Sequence, residues 1–494
     1  VTNLAPAASL KVKTIFSQLA PLDTDYPGFV EMWSYLDAFL SYEIHNSFFI
    51  KAMSNKEFIR DHWDGRNHLF SVKTGKFLTG LLPYVLEALQ QYNVPYDIED
   101  DRMGYVQQSL PGLILEPRPY QQDAVDIAYK MKRGIIWARP RSGKTIMEIM
   151  LVQRLGLMPV LSICQSIDIA RQTIEKFNQF LPKVKVGLIG DGECDIQLIT
   201  VATIQSLSAA YNIKEKIPKK QMEKIPALAK KLDIQRMVET AKFVWVDECH
   251  HAVSSTHKYI LQNKVYSAEY ILGCSGTPFR EDNTNMLLEG LLGPIIYEID
   301  YSKLIDTKYL VRPTIHLVKI PKVIQFDDKS AYASIYKQAI VENNLRNDAI
   351  ARIAHSLKDR GKTCMILVTK INHGKALANL IPCAKFSYSK SKDRASLWHQ
   401  LKVGKLPILI TTLGDEGIDI PSLGATIIAS GGESAIKVFQ RLRCLTPSPG
   451  KEHAIIVDFM DPYKYLNRHS KKREKLYKSE PSFRITYKEV KVCT

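Results

Sequence analysis

The 494 residues carry 67 Lys+Arg against 51 Asp+Glu, a formal charge of +16, and 45% of them are hydrophobic. That length and texture fit a soluble globular chain of two or three domains. The cationic excess fits a polyanionic partner, because each neutralised phosphate releases condensed counterions. No apolar run approaches the ~18–20 residues that span a bilayer. No basic amphipathic helix with a Trp/Phe/Leu face stands out either, so the balance favours nucleic acid over a membrane surface.

The first residues, VTNLAPAASLKVK, lack the charged and apolar regions of a secretory signal. The eight cysteines are scattered without a CxxC pair, which reads as reduced thiols of a cytoplasmic protein, mostly core fillers, and not as a zinc site. From residue 1 to about 110 strand-like segments (Phe48–Lys51, Leu69–Ser71) alternate with helical ones (Val30–Leu40, Phe77–Tyr92). Between them Trp63-Asp64-Gly65 reads as a turn before a strand, and His62 and His68 as surface residues off metal spacing. This part is read as a small α+β accessory domain, with Asp97–Pro117 as a linker.

From about 111 to 310 strand-like runs at 135–137, 160–163, 198–201, 243–246 and 270–273 are separated by helical stretches, the alternation of a parallel α/β sheet. Its ligands are expected at the carboxyl ends of the strands. The first run leads into Ala138-Arg139-Pro140-Arg141-Ser142-Gly143-Lys144-Thr145 and then an amphipathic helix. Strand, turn, Gly-Lys-Thr and helix make a phosphate-binding loop. Backbone N–H groups at the helix start face a phosphate, Gly143 permits close approach, Lys144 neutralises β/γ oxygens and Thr145 suits a Mg²⁺ ion. Ala138 stands where the usual pattern has its first glycine.

A Lys-rich stretch, Tyr211–Lys242, interrupts the alternation as a helical insertion, either solvated or a flap facing nucleic acid. The strand 243–246 runs into Asp247-Glu248-Cys249-His250. A carboxylate at a buried strand tip can hold Mg²⁺, as Asp247 would, and the next acid, Glu248, is placed to polarise the attacking water. The strand 270–272 ends in Gly273-Cys274-Ser275-Gly276-Thr277-Pro278, whose hydroxyls can link the nucleotide site to a bound strand. A second α/β alternation, about 311 to 494, has strands at 314–318, 364–368, 407–411, 425–429 and 454–457. It closes on the basic tail YLNRHSKKREKLYKSEPSFRITYKEVKVCT, which reads equally as a phosphate-backbone contact and as a solvated tail.

A phosphate loop, then DECH, then SGTP, then a second α/β lobe resembles a superfamily 2 helicase over about 117–460. The resemblance implies two RecA-like parallel-sheet lobes with ATP between them, after the accessory domain. Arg118-Pro119-Tyr120-Gln121 resembles the adenine-recognising segment, with Arg118 and Tyr120 beside Gln121 as base-edge reader. His250 completes the DECH nucleotide motif. SICQSIDIARQ (162–172) and VATIQSL (201–207) resemble nucleic-acid motifs of the first lobe, with Thr203 and Gln205 as phosphate contacts beside Ser275 and Thr277. TTLGDEGIDIP (411–421) resembles motif V, with Gly417 and Asp419 facing the nucleotide and Thr411 and Thr412 the tracked strand. VFQRLR (438–443) resembles motif VI, which implies Gln440, an arginine finger at Arg443 and support from Arg441. The order departs from QRxGRxxR, since Thr446 or Pro447 falls where the family has its next arginine.

Cys249 in place of alanine separates the chain from DEAD-box RNA helicases. Trp63-Asp64-Gly65-Arg66 and the compact size make it most similar to the UvsW-type recombination helicases of tailed phages. That resemblance implies a monomeric, sequence-independent DNA motor with ATP and Mg²⁺, acting on branched or partly single-stranded DNA in the host cytoplasm. Two other readings stay open: an RNA-directed member of the superfamily, and a non-unwinding DNA-stimulated ATPase subunit of a larger complex.

Overall fold

The computed structural model describes residues 5–54, 63–102, 107–211, 225–277, 284–327, 329–412, 420–432 and 442–490. Two compact units emerge: residues 1–138 with 143–298, and residues 139–142 with 299–494.

The first unit begins with a four-stranded sheet. Its strands are β1 (Ala8–Val12), β2 (Phe16–Pro21), β5 (Lys76–Leu78) and β6 (Tyr96–Asp100), in the order β5-β2-β1-β6. A ribbon of β3 (Ser41–Glu43) and β4 (Arg66–His68) lies in sequence between them, and Gly65 (φ 85°, left-handed) turns the chain into β4 as Trp63-Asp64-Gly65 suggests. Several expectations for this region fail. Phe48–Lys51 lies in the helix Ser47–Met53, not a strand, and Phe48 is exposed, so its aromatic run reflects no buried sheet. Leu69–Ser71 contributes only a bridge from Phe70 to Phe77. The expected helix over 77–92 starts at Leu82, after β5 and a 3₁₀ turn (Thr79–Leu81), with proline fitting its first turn. The supposed linker opens with β6, an exposed acidic strand parallel to β1.

This sheet is fused to the α/β lobe that follows it. One apolar core runs from Leu10, Leu36 and Val85 through Leu288 and Leu292 to Val244. Arg133 donates to the Leu291 carbonyl (3.1 Å) and to that of Thr14, and the Tyr84 hydroxyl meets the Glu289 carboxylate. Gly80 is the close point: a Cβ there would stand 2.1 Å from the Glu289 oxygen and 2.5 Å from that of Gly290. Backbone cannot give way as a side-chain end can, so Gly80→Ala is expected to destabilise the first unit by about 1–3 kcal/mol. Thermal unfolding and limited proteolysis between residues 100 and 117 check this.

The lobe itself is an eight-stranded sheet: β7 (Arg133–Ala138), β8 (Val160–Cys164), β9 (Val186–Gly190), β10 (Glu193–Cys194), β11 (Ile199–Thr203), β12 (Phe243–Asp247), β13 (Tyr270–Ser275) and β14 (Ile295–Ile299). The order is β10-β9-β11-β8-β12-β13-β7-β14. The pairings from β9 through β11, β8, β12 and β13 to β7 are all parallel. VLSIC, FVWVD and YILGCS are near-continuous apolar runs, which suits strands covered on both faces. Their carboxyl ends finish level, with Asp247 opposite Cys274, Ser275 opposite Trp137, and Thr203 opposite Cys164. In the expected insertion, residues 212–224 lie outside the described residues. The helix Ile225–Thr240 brings Ile234, Met237 and Val238 into the core, so this half is not a solvated excursion.

The second unit has a seven-stranded sheet: β15 (Arg312–Lys319), β16 (Thr363–Leu367), β17 (Ala384–Ser387), β18 (Ile408–Thr411), β19 (Leu423–Ile428), β20 (His453–Met460) and β21 (Arg484–Glu489). The order is β17-β18-β16-β19-β20-β15-β21, parallel throughout. Both large sheets are the RecA-like α/β lobes expected from the resemblance. The basic tail is not a tail. Its first half is the helix Lys464–Lys478, and its second half supplies β21 beside β15. Buried ion pairs fasten these parts. Arg473 forks onto Asp458 (2.8 and 3.0 Å), which also accepts from the Tyr477 hydroxyl (2.9 Å), and Arg346 pairs with Asp461 (2.9 Å). Cys164, Cys249, Cys274, Cys364 and Cys444 are buried free thiols. Among the described residues no helix is long and apolar enough to cross a membrane.

Candidate active site

The site grows from the carboxyl edge of the first unit's sheet. β7 ends at the buried Ala138, and the helix Lys144–Leu155 starts after Gly143, whose φ of 84° is left-handed. A Cβ on Gly143 would lie 2.2 Å from the Gln121 amide nitrogen, which would have to swing away, and the left-handed φ itself favours glycine here. Ser142 is buried and its N–H donates to Arg139 (3.1 Å), and the Ile146 and Met147 N–H groups close the first helical turn onto Gly143. Arg141 also holds a left-handed φ (72°). Arg139 and Arg141, grouped with the second unit, contact Glu480 (2.8 Å) and the Thr446 hydroxyl respectively. Pro140 and Thr145 are half-buried on either side of the turn.

Across the edge, β12 delivers Asp247 and Glu248. Glu248 adopts φ 46° and ψ 52°, strain for a residue with a Cβ, and this turn sends its carboxylate onto the Lys144 ammonium. The other Glu248 oxygen lies 3.4 Å from the Ser275 hydroxyl at the end of β13, and that hydroxyl is 2.9 Å from His250 Nδ1. The Trp137 indole N–H donates to the Gly276 carbonyl (3.1 Å), tying β7 to the same turn. Lys144, Glu248, His250 and Ser275 thus form one connected polar cluster beside Asp247.

Electrostatics sharpen their roles. Burial pushes the Glu248 carboxyl up, but Lys144, His250 and His251 outweigh it and hold it below the usual glutamate range. Burial opposes charge on Lys144 too, and Glu248 and Asp247 more than restore it, so the ammonium stays protonated. Burial pushes Asp247 up to about 6 against the pull of Lys144. An ionised base therefore sits beside a fixed cation, next to a carboxylate that a divalent ion would hold ionised.

The structure separates the remaining expected residues. Arg118 caps the helix Pro119–Met131: its N–H donates to Gln121 (3.0 Å) and its guanidinium to the Tyr120 hydroxyl (2.8 Å), while the Gln121 amide end lies against Gly143. Thr203 ends β11, is nearly buried and contacts Ser206 (2.9 Å), while Gln205 is exposed and donates to the Gln165 carbonyl (3.1 Å). Ser275 is fully buried in the acid cluster, so it links the site internally and is not a direct strand contact. Thr277 is half-buried, its N–H donating to Ser275 (3.2 Å). In the second unit Thr411 is fully buried at the end of β18 and so is not open to a strand, whereas Thr412 keeps some accessible surface. Gly417, Asp419, Gln440 and Arg441 lie outside the described residues, and only the backbone of Arg443, in a 3₁₀ turn, is described.

Two residues escape sequence reasoning. Glu148 hides in the phosphate-loop helix among Met147, Ile149 and Met150, and burial pushes its carboxyl up to about 8. His257 joins Gln165 (2.9 Å) to Ser254 (2.9 Å), connecting the loop that holds Gln205 to the segment after DECH. A glutamine amide nitrogen only donates, so His257 Nε2 accepts and Nδ1–H donates to Ser254. This neutral form is required: burial and then the charge of His251 depress its pKa to about 4. Between pH ~6.5 and 4 the unfolded chain binds the extra proton, so stability present above pH ~6.5 falls by up to about 3 kcal/mol as pH drops to 4. His257→Gln is expected to flatten the pH dependence of urea unfolding across that window.

The chain resembles superfamily 2 helicases in sequence, UvsW-type proteins among them. Residues 114–280 match the family described as type III restriction enzyme, res subunit. A candidate helicase (number 22) of Sulfolobus islandicus filamentous virus is 28% identical over 377 residues, covering 72% of this chain and 65% of its own length. The ATP-dependent DNA helicase uvsW of Enterobacteria phage T4 is 24% identical over 230 residues, 44% of this chain and 45% of its own length. The chain thus spans less than two thirds of these relatives. Among solved structures, a fragment of a candidate HsdR subunit of a type I restriction enzyme from Vibrio vulnificus shares the fold, with a TM-score of 0.53 at 20% identity, covering 76% of this chain and 68% of that one.

Proposed function

We propose that the chain is an ATP-hydrolysing motor that translocates on DNA and remodels branched DNA, moving Holliday junctions and regressing forks. The observation that carries the reading is the Lys144–Glu248–Ser275–His250 cluster at the carboxyl edge of a parallel sheet. The helix start after Gly143 offers N–H groups to a phosphate chain, and Lys144, held protonated, faces the same place. On ATP binding, Lys144 exchanges its contact with Glu248 for phosphate oxygens, which frees the ionised carboxylate to orient a water. Ser275 and His250 keep that carboxylate on the nucleotide side. The Thr145 hydroxyl and the Asp247 carboxylate are suitable donors to hold a Mg²⁺ ion, which would supply neutralisation of phosphate charge. Arg118, Tyr120 and Gln121 are assigned to the base; Gly417, Asp419, Gln440, Arg441 and Arg443 are assigned to the nucleotide by motif order alone.

Contacts to phosphates carry no sequence information, so the motor is expected to be sequence-independent and salt-sensitive. The relative named as a DNA helicase supports DNA as the track. A monomer working in a host bacterial cytoplasm is part of the same reading. The match to a restriction-subunit family favours a second reading, a DNA-stimulated ATPase that does not displace strands. ATPase and strand-displacement assays on matched DNA and RNA duplexes test both: displacement of DNA strands supports the motor, stimulation by DNA without displacement supports the second reading, and an RNA-only response contradicts both.

A further inference from the structure

The helix Lys464–Lys478 has two unlike faces. Leu466, His469, Ser470, Arg473 and Tyr477 are buried against the sheet, anchored by the Arg473–Asp458 pair. The other face exposes Lys464, Arg468, Lys471, Lys472 and Lys475, which with Asn467 line a shallow open groove. These positions follow the three- and four-residue spacing of a helix, so the cations form one stripe. From Lys464 to Lys475 the helix rises about 16 Å at ~1.5 Å per residue. That is the axial reach of about five phosphates of one strand at ~3.4 Å each.

The stripe has a local cost. Like charges four residues apart, as at 464/468, 468/472 and 471/475, each weaken a helix by about 0.2–0.5 kcal/mol. The helix has one acid, Glu474, and it is turned towards Lys478 (2.7 Å) and the Tyr487 hydroxyl (2.6 Å). Helix propensity therefore works against five cations on one face, and their charge is complementary to an anionic partner. No aromatic residue lines the groove: Tyr463 and Tyr477 are core residues, and Tyr465, beside Lys464, packs edge-on against Tyr332. A surface with cations and no stacking platform suits duplex backbone better than single strands. An anionic membrane fits less well, because the helix's apolar side is already buried and cannot insert.

We propose that this stripe is a docking surface for the phosphate backbone of a DNA duplex, separate from the nucleotide site; the inference rests on reading the chain as a DNA motor. It gives the motor a grip on an arm of its substrate through the second unit alone.

The test is binding of the full chain to a fluorescent blunt duplex, measured between 50 and 200 mM salt. The variant carries Lys464→Gln, Arg468→Gln, Lys471→Gln, Lys472→Gln and Lys475→Gln, with circular dichroism to establish that the helix persists. A second variant exchanges Lys for Arg and Arg for Lys at the same positions. The salt slope of the glutamine variant is expected to be shallower by up to about 4.5, and the exchanged variant to keep the wild-type slope. An unchanged slope in the glutamine variant overturns the proposal, as does loss of binding to phosphatidylserine vesicles with duplex binding intact. Wild-type chain that fails to bind the duplex at all overturns the DNA-motor reading itself, which separates the two failures.

Discussion

Lys144→Ala is expected to lower ATP turnover by about 10³-fold, the scale at which a fixed positive group contributes to a developing phosphate charge. The loss has two sources here. The ammonium is the cation facing the phosphate position, and it also holds Glu248 ionised against burial. With Lys144 gone, burial dominates at Glu248, its pKa rises, and the base is protonated over more of the neutral range. Glu248→Gln removes the base but leaves the cation, so it should retain nucleotide binding while losing turnover. Because the two act as a unit, the double variant should be little worse than either single one. Steady-state ATPase with nucleotide-binding titrations checks this; a double variant whose loss is the product of the two single losses contradicts a shared role.

The second large effect is structural. Arg473→Met is expected to destabilise the second unit by about 3–5 kcal/mol, because it leaves the Asp458 charge buried with only the Tyr477 hydroxyl and backbone as partners. Arg473 also donates to the carbonyls of Gly432 (2.6 Å) and Phe459 (2.9 Å), so those acceptors are stranded too. Replacing both members of the pair, Arg473→Met with Asp458→Leu, should recover much of the loss, since no charge is then left unpaired. Urea unfolding of the three proteins measures it; equal destabilisation of the single and double variants contradicts the ion-pair explanation.

That buried arginine also explains where sequence reading succeeds and where it stops. β12 and β13 are legible because each is an apolar run that ends on a chemically distinctive residue, Asp247 and Ser275, and β7 because its apolar run leads into Gly143-Lys144-Thr145. The phosphate loop and the DECH acids are thereby placed at one sheet edge by sequence alone. β9 (VGLIG) escapes notice because two of its five residues are glycine, a poor strand signal. β21 (RITYKE) is an edge strand with mostly exposed side chains, so no apolar run marks it. The helix before it faces the core with histidine, serine and arginine, and a pattern built on hydrophobic residues reads it as tail. In the accessory domain the same limit applies to β6, whose acidic residues conceal a strand paired with β1. Within the site, Lys144 and Glu248 follow from spacing, but the inward placement of Ser275 and the link through His257 depend on how separate strands converge.

The most direct measurement is DNA-dependent ATPase run in parallel with strand exchange on a synthetic four-way junction, using Lys144→Ala as the blank. ATP-dependent conversion of the junction into its duplex products, absent in the variant, is the expected result. ATP turnover stimulated by the junction with no movement of strands contradicts a branched-DNA motor.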